Sequence, residues 1–225
     1  MTLLDNIQYY LPEFLLSLQQ TAIMMGIAMV VSLVLGLPLG IALFLSNPKI
    51  KAKQSTLYWG LNFIITLVRS FPYLLLVVSL IPVTRFLLGQ AFGPYPASLP
   101  VSIVATAIYA RQVEQVLLDV PDETRLLADS LGCSLGQYIW HFLLVEARSG
   151  LVLGYTTSVV SIVSYSTVMG IVGGGGVGDL AIRYGYQSYQ LGIMYFAIIV
   201  MIIIVFIIQM TGSFFAQKLD KRKQG

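Results

Sequence analysis

The stretch TAIMMGIAMVVSLVLGLPLGIALFL, Thr21 to Leu45, contains no charged residue, and the nearest charges on either side are Glu13 and Lys49. About 20 consecutive apolar residues suffice for a helix to cross a bilayer, so this stretch reads as a transmembrane span. The pattern repeats along the chain. No lysine, arginine, aspartate or glutamate falls between Arg85 and Arg111, between Arg148 and Asp179, or between Arg183 and Lys218, and residues 57–88 carry only Arg69 and Arg85. Charged residues make up 10% of the chain and apolar residues 57%, with a mean hydropathy of +0.83. Soluble domains carry roughly 25% charged residues, so a water-exposed globular fold is excluded. The expected fold is all-α and polytopic.

The expected spans are about 21–45, 57–88, 98–110, 151–172 and 191–210, five in all. A single helix over 57–88 would be about 48 Å long at about 1.5 Å per residue, too long to cross a core of about 30 Å upright. Its first part, Leu57 to Val68, is therefore expected to lie along the interface or to tilt strongly. Kinks are expected at Gly36, Pro38 and Gly40, at Pro72 and at Pro82, because proline frees the carbonyl one turn earlier. Residues 1–20 contain Asp5 and Glu13 and no base, unlike a cleaved signal peptide, so the first span reads as permanent.

Orientation follows from the lysines and arginines. Ten of the 13 (Lys49, Lys51, Lys53, Arg111, Arg125, Arg148, Lys218, Lys221, Arg222 and Lys223) fall on one side of a five-span layout. That places the N-terminus outside, the C-terminus inside and residues 111–150 in the cytoplasm. Arg69 reads as an interfacial anchor whose long side chain snorkels to the headgroups. As topology determinants, the basic residues require no nucleic acid to account for them.

Catalytic chemistry is absent from the pattern. Cys133 and His141 are the sole cysteine and histidine, which rules out an internal disulfide and leaves no Cys/His ligand set for a metal. The run GGGGVGD, Gly173 to Asp179, lacks the lysine of a phosphate-binding P-loop. The ten acidic residues all read as loop or span-end residues, so no ionisable group of a coupled carrier is expected inside the membrane.

The cytoplasmic stretch TRLLADSLGCSLGQYIWHFLLVEARSG, Thr124 to Gly150, is different in kind. Pro121, Asp122 and Glu123 suit a first helical turn, where proline is tolerated and acids meet the positive end of the helix dipole. Leu126, Leu127 and Leu131 form an apolar surface, and Gly132 supplies a stop. Ser134 to Gln137 reads as a capping box, after which Leu135, Tyr138, Ile139, Phe142 and Leu143 recur at helical spacing. The expectation is a helix, a glycine turn and a second helix. Periodicity alone leaves open a pair of helices lying on the bilayer surface.

In the fourth span Ser158, Ser161, Ser164 and Thr167 recur every three residues, a small and weakly polar stripe that suits either close helix packing or a solute pathway. Ser161, Ser164, Tyr165, Ser166 and Met169 are the candidate pathway residues.

The segment ETRLLADSLGCSLGQYIWHFLLVEARSGLV from Glu123 resembles the Glu-Ala-Ala loop of permease subunits of bacterial ABC importers. The resemblance continues in VRSFPYLLLV from Val68, IPVTRFLLG from Ile81 and YSTVMGIVGGGGVGDLAIRYGYQ from Tyr165, covers nearly the whole chain, and is strongest to the methionine-uptake type. It implies a multi-pass subunit of the bacterial inner membrane, acting as a homodimer with a cytoplasmic ATPase dimer and an extracytoplasmic solute-binding protein. ATP and Mg would sit on the ATPase, and no cofactor in this chain. The loop would be the coupling element, with Glu123, Leu126, Leu127, Ala128, Leu131 and Gly132 at the contact. Leu126, Leu127 and Ala128 stand where Glu-Ala-Ala would, and Glu123 lies one turn before the missing acid. Val145 replaces the usual proline before Glu146. The glycine run with DLAIRYGYQ would shape the docking surface for the binding protein. Alternatives are import of another amino acid or small peptide, or an ATP-independent facilitator or structural subunit.

Overall fold

The computed structural model describes residues 3–48, 50 and 56–220, with side chains from Tyr9 onward. The described residues form helices and no strand: α1 (Leu3–Ser46), α2 (Thr56–Ser70), α3 (Tyr73–Leu88), α4 (Pro94–Leu118), α5 (Asp122–Ser130), α6 (Leu135–Gln137), α7 (Leu144–Met169), α8 (Gly176–Leu180) and α9 (Leu191–Leu219). A π-helical turn, Tyr138–Leu143, joins α6 to α7, and a second, Ala181–Gln187, continues α8. Lys49, Lys51, Lys53, Lys221, Arg222 and Lys223, on which the expected orientation leans, lie outside the described residues.

Among the described residues, three helical stretches are by themselves long and apolar enough to cross a membrane: Tyr9–Ser46, Leu135–Val172 and Leu191–Leu219. The expected second span is two helices, α2 and α3, bent by 108° at the break between them. Pro72 explains the position of the break, since a proline disfavours helical backbone in the residue before it and here stands at the N-cap of α3. Pro38 and Pro82, by contrast, lie inside continuous helices.

α4 is the axis of the bundle. Val101, Ala105, Tyr109, Ala110, Val113 and Leu117 are buried along its length. Enclosed by protein, it has less need of the apolar side chains that lipid demands, which explains why it is not among the three strongly apolar stretches. α1 lies directly on it. A Cβ on Gly36 would stand 3.0 Å from the Tyr109 ring and one on Gly40 only 2.4 Å from Val113 Cβ. These glycines, expected as interruptions, are contact points in an unbroken helix, as small residues are at membrane helix interfaces. The Tyr155 hydroxyl donates to Met29 O at 2.8 Å, tying α7 to α1. α9 approaches α7 at Gly212, where a Cβ would meet Thr156 Oγ1 at 2.0 Å.

The expected loop 111–150 is largely helical. α4 runs on to Leu118, and the second helix of the loop does not end but passes through the π turn into α7. Between Gln137 and Val172 no proline intervenes, so nothing removes a backbone donor to stop the helix. Arg125 Nη1 donates to Ile50 O at 3.4 Å, while Arg148 Nε donates to Leu219 O at 3.0 Å and Ser149 Oγ to Ala216 O at 2.9 Å. Ile50 is thus tied to α5, and the end of α9 to the start of α7.

Candidate functional site

The helix–turn–helix at α5 and α6 is built from local hydrogen bonds. Asp122 and Glu123 occupy the first turn of α5. At its end, Cys133 N–H donates to Ala128 O (3.0 Å) and Gly132 N–H to Asp129 O (3.1 Å), while Gly132 takes φ +69°. This is a Schellman stop, which closes the last carbonyls and needs a left-handed residue after the helix. Ser134 then caps α6: its N–H donates to Gln137 Oε1 at 2.8 Å and its Oγ accepts from Gln137 N–H at 3.4 Å. The turn is consequently stiff.

The stiff turn presents an uncovered apolar face. Leu126, Leu127 and Leu131 are 66%, 54% and 64% exposed, and Leu135 and Trp140, further along the chain, are exposed as well. Glu123 and Gly132 are also exposed, whereas Ala128 is buried at 1%. The six residues therefore divide: Ala128 seats α5 on the body, and the other five stand on the outside. Covering a leucine is worth roughly 1.5–3 kcal/mol, so such a face suits a partner.

On α7 the three-residue spacing does not produce one face. Each step of three turns the helix by about 300°, so the hydroxyls fall back about 60° per step and Ser158 and Thr167 end on opposite sides. Ser158 is fully buried, while Ser164 is exposed. Each hydroxyl donates to a carbonyl of its own helix: Ser158 to Gly154 O (3.0 Å), Ser161 to Thr157 O (3.0 Å), Ser166 to Val163 O (2.8 Å) and Thr167 to Val163 O (3.1 Å). Ser164 and Thr167 border a cleft of about 490 Å³ with α8 and α9. Tyr165 packs against Tyr73 of α3, ring centroids 4.4 Å apart, while Ser166 and Met169 are inside the core. The Tyr73 hydroxyl is buried with no hydrogen-bond partner among the described residues.

The glycine run does more than turn the chain. Gly173, Gly175 and Gly176 take positive φ, as a tight turn requires. Gly174, Gly176 and Gly178 are buried, and a Cβ on Gly178 would stand 2.2 Å from Thr167 O. Two side chains of α1 receive the start of α8: Gly176 N–H donates to Gln20 Oε1 at 2.8 Å and Val177 N–H to Thr21 Oγ1 at 2.9 Å. Sequence reasoning missed both caps. They come from 156 residues away, and nothing in the spacing around Gln20 signals them.

One acidic residue also lies elsewhere than expected. Glu114 is not a loop residue: it sits in α4, 2% exposed, where Oε2 pairs with Arg111 Nη1 at 2.5 Å and Oε1 accepts from Asn47 Nδ2 at 3.0 Å. The helix runs on past Arg111 because the residues after it are good helix formers with no breaker before Leu118. Among the described residues no group of three or more His, Cys, Asp or Glu is placed to hold a metal.

The sequence pattern of the family described as "Binding-protein-dependent transport system inner membrane component" matches residues 36–225. The chain is 37% identical over 203 residues to the probable D-methionine transport system permease protein MetI of Vibrio cholerae, covering 90% of each chain. It is 34% identical over 160 residues to the methionine import system permease protein MetP of Bacillus subtilis, covering 71% of this chain and 72% of that one. A chain of the MetNI methionine ABC transporter, solved in inward-facing conformations, superposes with a TM-score of 0.90 at 29% identity, over 98% of this chain and all of the other. These similarities and the helical architecture lead to one assignment: this chain belongs to the family of inner-membrane components of binding-protein-dependent transport systems.

Proposed function

We propose that this chain is the permease subunit of an ATP-driven methionine importer, paired with a second copy of itself and powered by a separate pair of ATPases. The observation that carries the coupling half of this reading is the exposed leucine face at Leu126, Leu127 and Leu131 on a capped turn, which nothing among the described residues covers. The solute is argued from the relatives, whose names specify methionine or D-methionine.

In this reading five spans cross the membrane with the N-terminus outside: α1, the bent pair α2–α3, α4, α7 and α9. Glu123, Leu126, Leu127, Leu131 and Gly132 meet the cytoplasmic ATPase, with Ala128 as the anchor behind them. ATP and Mg bind the ATPase, and this chain does no chemistry of its own. The glycine run and the π turn Ala181–Gln187 face the other side, toward the solute-binding protein. Ser161, Ser164 and Tyr165 line the pathway, with Ser166 and Met169 supporting them from the core. Closure of the ATPases moves α5 and α6 as a unit, and the spans alternate between inward and outward access. Membrane lipid covers the remaining apolar surface.

The test is uptake of labelled methionine by proteoliposomes containing the chain with its ATPase. Leu127→Asp and Gly132→Pro are each expected to abolish ATP-driven uptake and co-purification of the ATPase. Uptake that needs no ATP and survives both substitutions would establish a facilitator instead, and competition by a different amino acid or peptide would reassign the solute.

A further inference from the structure

The buried ion pair of α4 reaches across to a third helix. Arg111 Nη2 donates to Asn62 Oδ1 and, at 3.4 Å, to Thr66 Oγ1, both on α2. Asn62 and Thr66 are four residues apart and so share one face of that helix. Apart from this, α2 is attached by a small apolar patch in which Ile65 is its one fully buried side chain, against Leu43, Ala107 and Ala110. Arg111 is 14% exposed and its Nε is buried without a hydrogen-bond partner among the described residues.

The distribution of charge in this cluster is informative. A buried ion pair is weak evidence for stability, because desolvating both groups offsets their attraction. Here both charges belong to α4, at i and i+3, and Asn47, just past the end of α1, donates to the other carboxylate oxygen. The groups that α2 contributes are neutral. If α2 moves away, the guanidinium remains paired with Glu114 and no charge is stranded. Had the carboxylate been on α2, separation would have left the Arg111 guanidinium without its counter-charge, at a much larger cost.

Location gives the contact its role. α4 leads through Asp119 to Pro121 directly into α5, and α2 leads through the 108° bend into α3, whose Tyr73 ring lies on Tyr165. From these observations we infer that Arg111 is a positioning residue: a releasable clasp through which α4 holds α2, linking movement of α5 to the α3–α7 contact at Tyr73 and Tyr165. The inference builds on the proposed function for the meaning of that movement.

The experiment is hydrogen–deuterium exchange on the complete transporter in lipid nanodiscs, paired with the ratio of ATP hydrolysed to methionine taken up in proteoliposomes. Asn62→Ala combined with Thr66→Val removes the acceptors on α2 and leaves Arg111, Glu114 and Asn47 intact. Exchange over 56–70 is expected to rise roughly tenfold, as loss of hydrogen bonds to a charged donor implies, with α4 unchanged. The ATP-to-methionine ratio is expected to rise several-fold. Arg111→Lys, which keeps a cation beside Glu114 but lacks the guanidinium fork that spans both helices, should show a weaker form of the same two changes. Unchanged exchange in α2, an equal rise in α2 and α4, or an unchanged ratio would overturn the inference. The exchange readout requires neither solute nor ATP, so failure of the natural chain to take up methionine would overturn the proposed function and not this one.

Discussion

Two glycines, Gly132 and Gly178, stop or permit helices at different places, and they are needed for opposite reasons. At Gly132 a Cβ would meet nothing within 4 Å, but the backbone is left-handed at φ +69°. At Gly178 a Cβ would collide with Thr167 O at 2.2 Å. The first glycine answers a demand of the chain on itself. The second answers a demand of tertiary packing, and the regions around them differ likewise: the α5–α6 turn is closed by its own neighbours, whereas α8 starts on side chains borrowed from α1.

Substitutions can break this comparison. Gly178→Ala should have the largest effect, because the obstacle is backbone and cannot swing aside; overpacking of this kind costs about 1–3 kcal/mol or more. Loss of a monodisperse peak in detergent, or a large fall in Tm, is the expected result, and a near-native Tm would show that α7 and α8 can separate. Thr21→Val should come next, at about 1–3 kcal/mol, since it leaves the buried Val177 N–H without an acceptor. Its effect should appear as faster hydrogen exchange at 176–180, remote in sequence from the substitution.

Ser134→Ala removes a cap worth about 1 kcal/mol. The change should stay local, with faster exchange confined to 134–138 and little shift of Tm; spreading into α7 would mean that the turn supports the whole rod. Leu127→Asp should change stability least, within about 0.5 kcal/mol, because it alters an exposed site. A large fall in Tm for the isolated chain would mean that the leucine face is covered by the chain's own assembly, which would count against a partner there.

Legibility followed the same division. The Schellman stop at Gly132 and the capping box at Ser134 are written in residues that touch within five positions, so their hydrogen bonds could be anticipated from spacing. The break at Pro72 was legible as strain in an over-long span, although not as a 108° bend. The Ser158 to Thr167 repeat misleads because recurrence at three residues suggests a stripe, whereas a helix repeats at about 3.6. Glu114 is hard to place for a related reason: Arg111 resembles the end of a span, yet a charged residue with its counter-charge one turn away can stay inside a helix.

Composition and short-range chemistry by themselves determined that this is a helical membrane chain with a capped, leucine-faced turn, since hydropathy and local hydrogen bonds act over a few residues. Only the tertiary structure decided that α4 is the buried axis, that Gln20 and Thr21 cap α8 across 156 residues, and that Arg111 reaches α2. Each of those depends on which faces pack together, and a buried polar group takes whatever partner that packing brings within hydrogen-bond reach.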